Sequence, residues 1–406
     1  MNDRKDARFG REAIVTIVAG AAIVFLAMGV RQSFGLFLAP VSDGLGTGRA
    51  TFSVAMAIQN IMLGLPLAGM LADRVGSRRV AVVGGLVYAA AMVVVARWAS
   101  TTALFAGLGL ITGLALSATS YVVVLGAVGK VVPAHRRASA FGIITAFGSL
   151  GMFAMIPVSQ GLISAFGWSD AFVGLAVITG LITLLALRLP GSARVPGRHP
   201  AVDEPFLKIL DRARRNRSYL LLVAGFFVCG FHVSFISTHL PAYLSDGGIS
   251  TGSVTAALAL IGLMNIVGSS TFGFLGDRYR KRTLLSFLYF SRAVLFVLFL
   301  TLPLTNASAV VFGAIMGFLW LGTVPLTSGT VATLFGVRYL ATLYGVVFLS
   351  HQVGAFLGVW LGGAVYDSTG SYDTVWMIAI ALGVASALIH LPIDDRQPAA
   401  IGLERR

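Results

Sequence analysis

The sequence predicts an all-α membrane protein of twelve transmembrane helices arranged as two pseudo-symmetric six-helix bundles. Three observations carry this reading: a charge-poor composition, long uninterrupted apolar runs, and an internal repeat. Of 406 residues, 57% are hydrophobic and 11% are charged, and the mean hydropathy is +0.87. A water-soluble domain carries about a quarter charged residues, so the solvent this chain is built for is a lipid bilayer. Only helices and closed barrels satisfy every backbone polar group in lipid. Barrel strands would give alternating segments of about ten residues, whereas the runs here approach the roughly twenty that a spanning helix needs.

The apolar spans fall, in order, near 13–38, 50–72, 79–98, 102–127, 137–164, 169–189, 218–243, 251–275, 283–302, 306–334, 341–365 and 372–391. The first follows a basic stretch with Arg4, Lys5, Arg8 and Arg11. No small-residue cleavage site ends it, so it reads as a retained helix rather than a signal peptide. Between the sixth and seventh spans, Pro190 to Ser218 holds four prolines and seven cations. This break divides the chain into an N-terminal bundle (1–190), a cytoplasmic linker (191–217) and a C-terminal bundle with a short cytoplasmic tail (218–406). Within the linker, 206–213 reads as a short amphipathic helix on the inner leaflet.

The formal charge of +14 is a topology signal. With a cytoplasmic N-terminus, all but four of the 30 Lys and Arg lie at the termini or on the inner side, as the positive-inside rule requires. The four exceptions are Arg49 and Arg97 outside, and Arg31 and Arg292 within spans. A multi-pass protein of the cell (inner) membrane follows, with both termini cytoplasmic and no nucleic-acid partner. The one cysteine, Cys229, has no partner for an intrachain disulfide and leaves the redox compartment open.

The halves repeat one another at an offset of about two hundred residues. Gly69-Met-Leu-Ala-Asp73-Arg74-Val-Gly76-Ser-Arg78-Arg79 recurs as Gly273-Phe-Leu-Gly-Asp277-Arg278-Tyr-Arg-Lys281-Arg282. Ser33-Phe34 and Pro40 recur as Ser234-Phe235 and Pro241, and Arg137-Ala-Ser-Ala-Phe-Gly142 faces Leu340-Ala-Thr-Leu-Tyr-Gly345. A six-helix repeat placed twice is an architecture of secondary transporters, with the solute site near the midplane between the halves. The G-x-x-x-D-R-x-G-x-R-R pattern, its altered copy and the 6+6 layout resemble the major facilitator superfamily over essentially the whole chain. That resemblance implies a gating role for Asp73 and Arg74, and for Asp277 and Arg278 in the second copy. Arg78 and Arg79 read equally well as topogenic charges.

Ionisable groups inside spans are costly and tend to face cavities. Here they are Arg31 in the first helix, His232 and His239 in the seventh, Arg292 in the ninth and His351 in the eleventh. Polar neighbours are Gln32, Ser33, Gln59, Asn60, Tyr121, Asn265 and Gln352. All sixteen Asp and Glu fall in loops, termini or helix ends. A guanidinium does not deprotonate in a protein, so Arg31 has no anionic partner in the membrane. It either anchors the solute or is satisfied by carbonyls and water. A cationic cavity without a counter-charge selects anions, and the guanidinium fork fits a carboxylate. Arg292, on a helix usually peripheral in this fold, reads as structural or gating. With no carboxylate available, His232 and His351 are the side chains that could carry a coupling proton near neutral pH. Coupling through the substrate's own carboxyl group, or none, remains open.

Within the superfamily, Gly29-Val-Arg31-Gln-Ser-Phe-Gly35-Leu-Phe-Leu-Ala-Pro40 and Phe231-His232-Val-Ser-Phe-Ile-Ser-Thr-His239-Leu-Pro241 resemble the bacterial monocarboxylate-porter branch, relatives of oxalate/formate and lactate/pyruvate carriers. Two departures stand out. The eighth span offers Asn265 where better-studied members carry an arginine, and the eleventh offers His351 where the oxalate carrier has a lysine. One fixed cation suits a monocarboxylate better than a dicarboxylate.

The resulting expectation is a secondary transporter of a small organic anion, a monocarboxylate, working by alternating access as a monomer, with proton symport an open possibility. Arg31 would bind the carboxylate, with Gln59, Asn60, Tyr121, His232, Asn265 and His351 as polar lining. A proton-driven drug exporter of the same fold is the alternative. Such exporters commonly use a buried acid and a G-P pair in the fifth helix, and this sequence has neither. No metal-spaced His/Cys cluster, nucleophile elbow or phosphate loop is present. No enzyme activity, metal or cofactor is therefore expected.

Overall fold

The computed structural model describes residues 10–65, 67–133, 136–191, 206–336 and 340–395, and every regular element among them is helical. The chain separates into two compact units, Met1–Arg198 with Ser237–Ala242, and His199–Ile236 with Tyr243–Arg406. Most of the predicted linker, 192–205, lies outside the described residues.

In the first unit, α1 (Arg11–Ser33) passes through a tightened turn, Phe34–Phe37, into α2 (Leu38–Leu45). The first span is thus longer than its apolar run suggests. Pro40 does not end it, and the helical stretch runs on through Leu45. The second span is α3 (Arg49–Gly64) followed by α4 (Leu67–Val75). It breaks at Leu65, whose backbone is extended (ψ 136°), since the residue before a proline is pushed out of the helical region. α5 (Ser77–Arg97) is continuous. The fourth span is composite: α6 (Thr101–Ala103), a π-helical stretch Leu104–Ile111, α7 (Thr112–Thr119), an extended Ser120, then α8 (Tyr121–Val131). The fifth and sixth spans form one stretch, α9 (Arg137–Ala186), which turns at Gly167 (φ 74°, ψ 170°). Only glycine visits that conformation without a steric penalty.

The second unit opens with α10 (Phe206–Arg214). Ile209 and Ala213 are buried while Lys208, Arg212 and Arg214 are exposed. Asp211 bridges Arg214 at 2.5 Å and Arg215 at 3.0 Å. The hydrogen bond from Arg214, with the nearby charges, holds the Asp211 carboxyl below the ordinary carboxylate range. The spans follow as α11 (Arg217–Asp246), α12 (Thr251–Arg278), α13 (Lys281–Thr301), α14 (Asn306–Phe318), α15 (Thr323–Phe335), α16 (Leu340–Thr369) and α17 (Asp373–His390). Side chains cap several starts: Ser250 accepts from the Ser253 amide, and Thr305 with Ser308 forms a reciprocal capping box.

Among the described residues, ten helical stretches are long and apolar enough to cross a membrane. That count takes α9 as one stretch although it turns back at Gly167, and it passes over the interrupted α3–α4. These two features account for the difference from the twelve expected spans.

Each unit packs its first helix against its fifth by backbone contact. A Cβ at Gly151 on α9 would sit 2.0 Å from the Phe25 carbonyl oxygen of α1. In the second unit, a Cβ at Gly354 on α16 would sit 2.0 Å from the Phe227 carbonyl oxygen of α11. Helices gain no hydrophobic driving force against each other in lipid, so small residues that permit such approach carry the packing.

Candidate functional site

Arg31 lies in the last turn of α1. Its Nη2 donates to Asn60 Oδ1 on α3 at 2.6 Å, while its Nε is buried without a hydrogen-bond partner. The phenols of Tyr88 on α5 and Tyr121 on α8 lie within electrostatic reach of the guanidinium. Tyr88 is fully buried, and its hydroxyl is also without a hydrogen-bond partner. Tyr121 is the first residue after the break at Ser120, and its hydroxyl lies against Gly148 of α9. Four elements therefore bring one permanent cation, one amide and two phenols together, with no carboxylate among the described residues.

Gln59 does not join this group. Consecutive helical residues point about 100° apart, so with Asn60 facing Arg31, Gln59 faces the fourth span. There its Nε2 donates to the Leu108 carbonyl at 2.9 Å. Ser33 accepts from Ser159 of α9 at 2.8 Å, and Gln32 is buried with its amide nitrogen unpartnered.

The candidates in the second unit are dispersed. His232 is fully buried and its Nε2 meets the Ala379 carbonyl of α17 at 2.8 Å. Its ring lies edge-on to Phe296 of α13 at 5.0 Å, so it sits among α11, α13 and α17. Asn265 is buried on α12 and its Oδ1 accepts from the Leu321 amide at 3.0 Å, across the break between α14 and α15. His351 on α16 pairs its Nδ1 with Gln352 Oε1 at 2.9 Å and stacks on Phe348.

Arg292 is fully buried on α13 and tied to the same break as Asn265. Its Nε and Nη2 donate to the Leu319 carbonyl at 3.1 and 2.6 Å, and Nη2 also reaches the Trp320 carbonyl at 2.5 Å. Carbonyls at a helix end have no intrahelical donor, and in lipid they need one from elsewhere. The guanidinium supplies it. Its remaining nitrogen, Nη1, approaches Cys229 Sγ at 3.7 Å, and the same sulfur lies 3.1 Å from Thr323 Oγ1. Neither Tyr88 nor this Cys229–Thr323 contact is signalled by the sequence, because a tyrosine or a cysteine within an apolar run is unexceptional.

The predicted gating residues are described in part. The Asp73 side chain lies outside the described residues, and Arg74 is exposed. In the second copy, Asp277 is exposed and the Arg278 guanidinium lies 4.3 Å from the Phe274 ring centroid. The neighbouring arginines have defined partners. Arg78 Nε donates to the Leu189 carbonyl at 2.6 Å. Arg282 Nη1 donates to the carbonyls of Leu391 and Ile393 at 3.0 and 3.1 Å. An open apolar groove of the first unit, lined by residues such as Leu67, Leu71, Val83 and Leu114 with Arg79, contains none of the candidate residues.

Two helical units, with ten stretches among the described residues long and apolar enough to cross a membrane, define a multi-pass membrane protein. Residues 20–358 match the Major Facilitator Superfamily, and the chain belongs to that family. It is a transporter of this superfamily and not an enzyme. Among similar proteins, an uncharacterized MFS-type transporter YcxA of Bacillus subtilis (strain 168) is 26% identical over 382 residues, covering 91% of this chain and 92% of that one. The oxalate:formate antiporter of Oxalobacter formigenes is 24% identical over 386 residues, covering 92% and 89%. Monocarboxylate transporter 13 of Rattus norvegicus is 25% identical over 399 residues, covering 95% and 90%. In fold, the nucleoside transporter NupG superposes with a TM-score of 0.74 at 17% identity, covering 93% of this chain and 99% of that one.

Proposed function

We propose that this transporter carries a small organic anion, a monocarboxylate, by alternating access, and that Arg31 anchors the substrate carboxylate. The carrying observation is the state of Arg31. It is a permanent cation inside a span, bonded to a neutral amide, with Nε buried and unpartnered. A carboxylate is the ligand whose geometry and charge complete a guanidinium fork. Asn60 orients the guanidinium, and Tyr121 flanks it. Gln59, His232 and Asn265 spend polar atoms on backbone groups, and we assign them to positioning the helices around the pathway. The names of the relatives, which include an oxalate:formate antiporter and monocarboxylate transporters, agree with an anionic cargo. Export of an organic cation lacks the buried acid it would need.

Of the two histidines that could carry a coupling proton, we assign that role to His351, whose Nδ1 pairs with a side chain, Gln352, and not to His232, whose Nε2 is committed to the Ala379 carbonyl. Asp73, Arg74, Asp277 and Arg278 are assigned to the inner gate, and both termini to the cytoplasmic side of the cell membrane. Uptake of labelled small acids into proteoliposomes tests this reading. Saturable uptake lost in Arg31→Ala and partly kept in Arg31→Lys is expected. Uptake unchanged in Arg31→Ala would remove the anchor.

A further inference from the structure

The first unit carries a groove that the transport reading does not use. α4, α5 and α7 leave about 300 Å³ of open space between them. The groove follows α4 from Leu67 to Val75 and α5 from Arg79 to Val87, a length of about 12 Å at the helical rise. Its base closes where α5 meets α7, since a Cβ at Gly84 would lie 2.7 Å from the Cβ of Ala118. Its walls stay uncovered: Leu67 is 50% exposed, Leu71 49% and Val83 57%. Every residue lining it is apolar except Arg79. A groove of that composition, on helices that cross a bilayer, holds hydrocarbon rather than water.

Arg79 stands at one end, the third residue of α5, at the membrane surface assigned to the cytoplasm. It is exposed, the first turn of α5 has no acidic residue, and Arg79 makes no hydrogen bond or ion pair with a described residue. Its neighbour Arg78 is instead committed to the Leu189 carbonyl. Arg74 follows Leu71 by three residues on α4, hence on the same side of that helix, and adds a second exposed cation there. Moving an acyl chain from the bilayer into the groove gains little, because lipid tails are as apolar as leucine. The walls therefore supply shape, and the arginine supplies preference. A guanidinium matches a phosphate in bidentate geometry, and basic pockets between membrane helices on the cytoplasmic side recognise anionic head groups.

We propose that this groove binds one anionic phospholipid of the inner leaflet, with its phosphate on Arg79 and one acyl chain lying along Leu71 and Val83 over the Gly84–Ala118 base. The site is independent of the cargo and its coupling, and only the leaflet follows from placing the termini in the cytoplasm.

The experiment is native mass spectrometry of the full-length protein in detergent, titrated with phosphatidylglycerol or phosphatidylcholine of identical chains. One phosphatidylglycerol should bind about five-fold more tightly than phosphatidylcholine, as expected from about 1 kcal/mol per arginine at a membrane surface. Arg79→Gln should lower it to the phosphatidylcholine level, while Arg97→Gln, at the opposite end of α5, should not. Ala118→Phe fills the base and should abolish the preference with Arg79 in place. Val83→Phe serves the same end if Ala118→Phe fails to fold. Equal binding of the two lipids by the wild type overturns the proposal, as does phosphatidylglycerol binding unchanged in Arg79→Gln. A preference lost in Arg79→Gln but kept in the groove-filling variants is a surface charge effect and overturns the groove as the site. Displacement of the lipid by inorganic phosphate, or a lipid-free protein dimer as the sole species, overturns the phospholipid as occupant.

Discussion

Arg78 and Arg282 occupy the same place in the two copies of the repeat and make the same kind of bond. Each donates to backbone carbonyls at the end of the last span of its unit, Arg78 to Leu189, and Arg282 to Leu391 and Ile393. In each unit, the start of the third span is thereby pinned to the end of the sixth. Arg78 is more than the topogenic charge its sequence context allowed.

The two bonds differ in number and in burial. Arg282 is half-buried and reaches two carbonyls, whereas Arg78 is exposed and reaches one. Hydrogen bonds from charged groups contribute about 1.5–3 kcal/mol each when protected from water and less when exposed. Arg282→Ala should therefore lower the Tm of the purified protein more than Arg78→Ala. Thermal denaturation in one detergent checks the order, and equal shifts would contradict it.

Arg292→Ala strips donors from the Leu319 and Trp320 carbonyls in the middle of a membrane bundle. Removing one partner of a buried charged interaction costs about 3–5 kcal/mol. Folded yield, read by fluorescence size-exclusion chromatography, should fall severely, with Arg292→Lys recovering part of it. Wild-type yield from Arg292→Ala would show that the break does not depend on this side chain.

Asn265→Leu removes the acceptor of the Leu321 amide, at the same break. An unsatisfied buried donor costs about 1–3 kcal/mol, so a Tm loss smaller than that of Arg292→Ala is expected in the same assay. Asn265→Asp keeps an acceptor and should retain more stability than Asn265→Leu.

Gly151→Val and Gly354→Val place a side chain where a Cβ alone would already lie 2.0 Å from a neighbouring carbonyl. Each should separate the first and fifth helices of its unit and abolish monodisperse protein. Gly142→Ala, at a position with open space around its Cβ, is the matched control and should behave as wild type.

The fold was readable because its signals are long or local. Twenty-residue apolar runs announce spans, and the gap between 164 and 169 separates the fifth from the sixth. The break at Leu65, inside the run read as 50–72, was not anticipated although a proline follows it, and neither were the breaks at Ser120 and at 319–322, which carry no proline. Side-chain direction was the harder quantity. A membrane helix that is apolar all round has no polar face to mark which way a residue points. Hence Arg31 and Asn60 could be singled out as polar groups in spans, while the turn of His232 toward α13 and α17 could not be read. Arg292, Cys229 and Thr323 come from three different helices, and only packing brings them together.

The most direct measurement is saturable uptake of a labelled monocarboxylate into proteoliposomes, comparing wild type, Arg31→Lys and Arg31→Ala at matched protein incorporation. Loss of saturable uptake in Arg31→Ala, with a raised KM in Arg31→Lys, is the predicted result. Unaltered KM and maximal rate in Arg31→Ala would contradict it, and would leave a transporter whose cargo is recognised by other residues.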